Sequence, residues 1–442
     1  MVCLSTKLKI EDLRLAAINL RTTRDYVKEA ISTLNPVEIV TPTNLEIEKK
    51  RWIELAKGGI FENPTFLYNT ELLDATIAKR QALLNLNEEL LMIEPKKPDS
   101  AMHFVWECIY AALQDGISTV DLAEAIKNGN DFRAVEEVKK KYGTPKEENI
   151  EAAKVVAGVN VGRGDLEERD IDFDPPISLT DRELLISKDR TLNAEQIKEM
   201  FIWAMAQYDD EPWSVEIADD CSAIDVRDKS SIGHPTIVVP TKRKVTGMKL
   251  AELIGHEIEC HWRGSKNADL IGALKCDDEF IYEGLAVLKD KAFNKKYCGT
   301  LHKNAAYYVL AMNAALKGKS FSDTAEHILN LIPEKTENRV TKAWTYTYRV
   351  YRGITHSANP HSYAFTKDRA YFEGWLYAIE LEKSGKADYL SFSTLNQTCF
   401  EKFIDLVDID DVRKNARLDL NIQERSLEKL LRCMNYRNVA QT

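Results

Sequence analysis

Two histidines stand five residues apart in the run His256-Glu257-Ile258-Glu259-Cys260-His261, inside a segment whose apolar residues Leu250, Leu253, Ile254 and Ile258 recur at helical spacing. Thr246, a favoured N-cap residue, opens that segment as a helix. On a regular α-helix, positions four apart lie about 40° around the axis, whereas positions five apart lie about 140° around it. Two imidazoles with this spacing cannot face one point from an undistorted helix. A π-bulge widens one turn and brings positions i and i+5 back together, and such bulges concentrate at functional sites. The spacing therefore predicts a π-bulge between Gly255 and Trp262.

Two neutral imidazoles and a carboxylate form the protein part of hydrolytic zinc sites, which keep one coordination position for water. The expected carboxylate is Glu283, 22 residues after His261, in the run Phe280-Ile281-Tyr282-Glu283-Gly284-Leu285-Ala286 that opens another helical stretch. Glu257, next to the first histidine, is placed to take a proton from a water whose pKa the metal lowers. His256, His261 and Glu283 are thus the expected ligands of one zinc ion, and Glu257 the expected catalytic base. In the competing reading the two histidines are ordinary helix residues paired with nearby carboxylates. The placement of Glu257 and of Glu283 favours the metal. Cys260 is expected to pack rather than ligate, and Glu259 to lie at the surface or behind the ligands.

From about residue 8 to 160 apolar residues recur at three and four, as in Leu13, Ala16, Ala17 and Leu20 and again in Leu72, Ile77, Leu83, Leu84 and Leu91. Prolines at 36, 42, 64 and from 95 to 98 punctuate the pattern. This predicts a helical N-terminal region over 1–161. The run GRGDLEERDIDFDPP from Gly162 to Pro176 is charged and ends in two prolines, so 162–178 reads as a connecting segment. A helix around 193 to 208 follows, and then short β-rich runs at Ser214 to Ile217, Ala223 to Val226 and Thr236 to Val239, which predict a small antiparallel sheet. The rest reads as helix. The expected fold is α+β and predominantly α-helical, with a zincin-like catalytic domain over 179–442.

Composition narrows the function. Lys and Arg number 60 against 70 Asp and Glu, a formal charge of −10, which argues against a nucleic-acid partner because phosphate neutralisation needs concentrated cations. No stretch approaches the roughly 18 apolar residues of a spanning helix, and the N-terminus acquires charges before any apolar run reaches secretory length, so no membrane partner and a cytoplasmic location are expected. Eight cysteines are scattered without a CxxC pair, which speaks against a disulfide framework or a cysteine zinc site.

The sequence resembles the microtubule-associated tyrosine carboxypeptidase family and its bacterial relatives with a QEGLA motif. The resemblance rests on Gly255-His256-Glu257-Ile258-Glu259-Cys260-His261 with Arg263-Gly264 just after, on Glu283-Gly284-Leu285-Ala286, and on Arg349, Arg352-Gly353, Phe365-Thr366-Lys367-Asp368 and Tyr371-Phe372-Glu373-Gly374. It covers about 180 to 400. By it, His256 and His261 match the histidine ligands, Glu257 the catalytic glutamate and Glu283 the third ligand. The implied reaction removes a C-terminal residue, tyrosine or another aromatic, from a peptide or protein; the animal members release tyrosine from α-tubulin. This chain departs from the pattern at Tyr282, where bacterial relatives carry Gln, and in having no long basic N-terminal extension of the kind that could attach an enzyme to an acidic microtubule.

A carboxypeptidase must pair its substrate's terminal carboxylate with a cation, and Arg349, Arg352 and Lys367 are the candidate substrate-binding residues. Structural ion pairs are the alternative for each. An edge strand at Thr236 to Val239 is a candidate for aligning an extended peptide. The aromatic run from Trp344 to Tyr351 is a candidate side-chain pocket, with core packing as the alternative. His356 and His361 fall in a loop, where hydrogen bonding is expected rather than a second metal. The competing functions are an aminopeptidase or dipeptidyl peptidase on the same zinc site, and a non-catalytic binding protein stabilised by zinc.

Overall fold

The structure is a computed structural model that describes residues 7–98, 100–158, 191–208, 213–219, 224–227, 236–274, 279–298, 304–358, 362–420, 422, 425–426 and 429–430. The connecting segment expected at 162–178 lies outside these residues, as does His361. The fold is α+β and mostly helical.

The N-terminal helices gather around Ala101–Lys127, a 27-residue helix started by Ser100, whose hydroxyl accepts the N–H of His103. Phe104, Ile109, Leu113, Val120 and Ala123 are buried on several faces of it, because Ile10–Asn19, Arg21–Ile31, Thr70–Ile77, Arg80–Met92 and Asp131–Tyr142 all pack around it. A helix enclosed in this way carries no single apolar stripe. Its core is continuous with that of the later helices: one cluster runs from Ile10 through Cys260 and Leu285 to Val412. Backbone and side-chain bonds reinforce this. Leu8 N–H donates to Leu406 O, and Ile10 N–H to Asp411 Oδ2. The buried Glu373 accepts the Lys146 N–H and the Asn149 amide on Oε1, both at 2.9 Å, and Arg369 Nη1 on Oε2 at 2.8 Å.

A second cluster, from Leu192 to Leu430, lies under the strands and includes Phe201, Ile237, Val239, Leu250, Ile254, Ile258 and Trp262. Helix Ala194–Ala206 enters it through a capping box between Asn193 and Gln196. The strands correct the expected antiparallel sheet. β1 (Thr191–Leu192) pairs antiparallel with β5 (Val245–Thr246), but the larger sheet is mixed: β2 (Ser214–Ala218) runs parallel to β4 (Thr236–Pro240), and β3 (Asp225–Arg227) runs antiparallel to it. The order β2-β4-β3 makes β4 the central strand, buried at every residue. Its near-continuous apolar run is that of a strand covered on both faces. Thr236 to Val239 is therefore no edge, and its backbone groups are already engaged by β2 and β3.

Candidate metal centre

The motif segment is wedged between the two clusters, since Ile258 and Trp262 pack under the strands and Cys260 in the main core. Thr246 Oγ1 accepts the Lys249 N–H and starts an α-helix over Gly247–Ile254. That helix passes into a π-helix over Gly255–Trp262 and returns to α over Arg263–Leu270. The widened turn falls where the histidine spacing predicts it. It brings the His256 and His261 rings to 4.7 Å between centroids, set at 90° to each other.

Glu283 comes from helix Phe280–Cys298, and its approach is set by a glycine contact. A Cβ on Gly284 would lie 2.2 Å from the carbonyl carbon of Gly374, and one on Gly374 only 2.0 Å from Phe280 O. No side chain fits between these backbones, so both positions require glycine. The crossing seats Glu283 against the histidines: its Oε1 is 3.8 Å from His261 Nε2 and its Oε2 is 3.8 Å from His256 Nε2.

These separations exceed a hydrogen bond. They lie close to the about 3.4 Å expected between neighbouring ligands of a tetrahedral ion with bonds near 2.1 Å. One donor atom from each of His256, His261 and Glu283 lies within 4.8 Å of the others, and no other such group of histidine, cysteine and carboxylate occurs among the described residues. Glu283 Oε2 is buried without a hydrogen-bond donor, an orphan of the kind that a cation satisfies. The residues fit a zinc ion. Glu257 follows His256 directly and is buried beside this group, close enough to influence both His256 and Glu283 electrostatically.

The electrostatics fit the same role. Burial works against a charge on His256, but Asp290 Oδ2 at 3.1 Å from Nδ1, with help from Glu257 and Glu283, raises its pKa to about 10. Burial first, and then the charge of Glu279, push the Glu283 carboxyl up to about 7, with His256 and Lys367 pulling the other way. Asp290 thus fixes the ring of His256 from behind, as carboxylates do for metal-bound histidines. Sequence reasoning missed it, although it stands seven residues after Glu283, on the same helix face. Tyr282 stacks on the His261 ring at 3.7 Å and 16°. Tyr371 is a further neighbour: the Glu283 carboxylate, followed by burial, raises its phenol far above the ordinary value, so it stays a neutral donor.

The candidate substrate cations fare differently. Arg349 donates from Nη2 to Asp368 Oδ1 at 2.7 Å and from Nη1 to the Tyr308 hydroxyl at 3.1 Å, and its guanidinium carbon lies 5.5 Å from the centre of the Tyr371 ring. Lys367 pairs with Glu279 Oε2 at 3.3 Å and lowers the Glu283 pKa, so it borders the centre, whereas Arg349 reaches it only through Tyr371. Arg352 is 5 % exposed and is spent on Asp368 Oδ2 at 3.0 Å, a structural ion pair in place of the expected substrate contact. The aromatic run is core rather than pocket: Trp344 is buried among Trp52, Phe66 and Phe321, and Tyr351 bonds Thr324 and Lys319 O. His356 hydrogen-bonds Asp131 Oδ2 at 2.8 Å. Cys260 is fully buried, and burial pushes its thiol well up. Glu259, expected at the surface or behind the ligands, is fully buried in an ion pair with Lys289.

Residues 173–393, half of the chain, match the profile of a family described as microtubule-associated tyrosine carboxypeptidase. The matched span holds the whole centre, from the π-helix through Glu283 to Tyr371. No curated protein matches the chain.

Proposed function

The chain belongs to the microtubule-associated tyrosine carboxypeptidase family, and from that premise we propose that it is a zinc-dependent carboxypeptidase of zincin-like architecture, acting in the cytoplasm on the C-terminus of a peptide or protein. The observation that carries this reading is the meeting of His256, His261 and the Glu283 carboxylate at one point, with Glu257 beside them.

His256, His261 and Glu283 would hold the ion, and when bound it would supply the Lewis acidity for hydrolysis. Asp290 holds the His256 ring in place through Nδ1. Glu257 receives the proton of the attacking water and passes it to the departing amine. The neutral Tyr371 hydroxyl, close to Glu283, is a donor for the carbonyl oxygen as negative charge develops on it. Lys367 and Arg349 provide positive charge for the terminal carboxylate. The family's description also suggests tyrosine as the released residue, which belongs to this proposal; tubulin is the secondary reading, since a chain of formal charge −10 gains little attraction to an acidic partner.

The test is metal analysis of the purified protein, followed by mass spectrometry of peptides with free or amidated C-termini. One zinc per chain and loss of the last residue from free-acid peptides only are expected. Cleavage from the amino end, or of amidated peptides equally well, would reassign the enzyme to another peptidase class.

A further inference from the structure

A second set of charged side chains packs against the metal-binding turn, and the reaction does not use it. Glu259 lies between the two histidines in sequence, three residues after His256 and two before His261, and is fully buried. Its Oε1 accepts the N–H of Ile422 at 2.5 Å, and its Oε2 receives Lys289 Nζ. Lys289 also pairs with Asp419. Arg263, buried two residues after His261 and one turn after Glu259, donates from Nε to the Glu259 carbonyl at 2.6 Å. Nearby, Asn267 fastens the same C-terminal stretch, with Oδ1 accepting the Arg417 N–H at 2.8 Å and Nδ2 donating to Arg417 O at 2.9 Å.

Lys289 directly precedes Asp290, the carboxylate that holds His256. The cluster therefore joins the two elements that must stay in register, the π-helix and the helix of Glu283, and the chain around Asp419 and Ile422 closes it. A buried carboxylate is stable only while it is paired. A π-turn is a rare departure from the α-helix and needs tertiary support to persist. Asp419 and Ile422 lie beyond residue 393, outside the span that matches the family profile.

We propose that Asp419 is a positioning residue for the metal-binding turn: through Lys289 it holds Glu259 in place and so keeps His256 and His261 convergent on the ion. The inference rests on the zinc reading above. Asp419 keeps 38 % of its side chain exposed, which makes it the mildest point at which to break the cluster.

The experiment uses the full chain with Asp419→Asn and Asp419→Glu. It measures zinc affinity by competition with a chromogenic chelator, the absorption bands of the cobalt(II)-substituted protein, and thermal melting. Asp419→Asn is expected to weaken zinc by about ten-fold, the low end of what loss of a group bonded directly to a ligand costs, because Asp419 acts one link further away, and to shift the cobalt bands. Asp419→Glu, which keeps the charge, is expected to show a smaller change in the same direction. A cluster that only stabilises the fold would lower the melting temperature and leave affinity and bands as in the wild type. That result in folded Asp419→Asn, or in Asp419→Glu if the first variant does not fold, overturns the proposal. A wild-type protein that binds no zinc overturns instead the reading on which it rests.

Discussion

Asp290 Oδ2 lies 3.1 Å from His256 Nδ1, and Asp290 stands on the same helix as Glu283, so a single helix supplies both a candidate ligand and the brace for another. Asp290→Asn removes the charge that polarises the imidazole. Zinc affinity is expected to fall by about 10- to 100-fold, read by chelator competition, with the fold intact by circular dichroism.

Glu257 is placed to move protons and not to bind the ion. Glu257→Gln keeps the shape of the side chain and removes its basicity. Turnover is expected to drop by about 10²-fold or more, while zinc content by elemental analysis stays at the wild-type level. Loss of zinc in this variant would give Glu257 a ligand's role.

The close crossing of Gly284 and Gly374 leaves no room for a methyl group, and both contacts are to backbone that cannot rotate away. Gly284→Ala is expected to cost about 3 kcal/mol or more in urea denaturation, at the upper end of overpacking penalties. It should also separate Glu283 from the histidines, so any folded fraction should bind zinc weakly.

Metal binding should depend on pH in a set direction. His256, raised to about 10, carries a proton at neutral pH, and Glu283, raised to about 7, begins to take one as the pH falls through that value. The ion must displace these protons, so affinity rises with pH. It should rise about tenfold per pH unit above 7, where one proton leaves, and more steeply below 7, where two leave. Calorimetry at pH 6, 7 and 8 in buffers of different ionisation enthalpy reads the proton release directly.

Lys367→Ala removes a cation that borders the centre while leaving the histidines and their brace untouched. KM for free-acid peptides is expected to rise by roughly tenfold or more with a smaller change in kcat, since a charge-assisted hydrogen bond contributes about 1.5–3 kcal/mol. An unchanged KM would assign Lys367 to its ion pair with Glu279 alone.

What the sequence made legible was local. The i, i+5 histidines demand a widened turn whatever surrounds them, and the π-helix over Gly255–Trp262 answers that demand. The run opening at Phe280 announced the helix of Glu283. Long-range relations were not legible. The parallel pairing of β2 with β4 joins strands that are not consecutive, so the short β-rich runs fitted an antiparallel sheet equally well. Arg352 could serve a substrate or a structural ion pair equally well in the sequence, because nothing in the chain shows that Asp368 folds back onto it and Arg349 together. The aromatic residues from Trp344 to Tyr351 could line a pocket or a core until the positions of Trp52, Phe66 and Phe321 were fixed. Asp290 sat on the expected helix face but had no motif to mark it.

X-ray absorption at the zinc edge, on wild-type protein and on Glu283→Ala, tests the central claim most directly. The expected spectrum shows two imidazole nitrogens and carboxylate oxygen around one zinc in the wild type, with zinc lost or the oxygen shell depleted in Glu283→Ala. A wild type that binds no zinc, or an unchanged metal shell in Glu283→Ala, would contradict it.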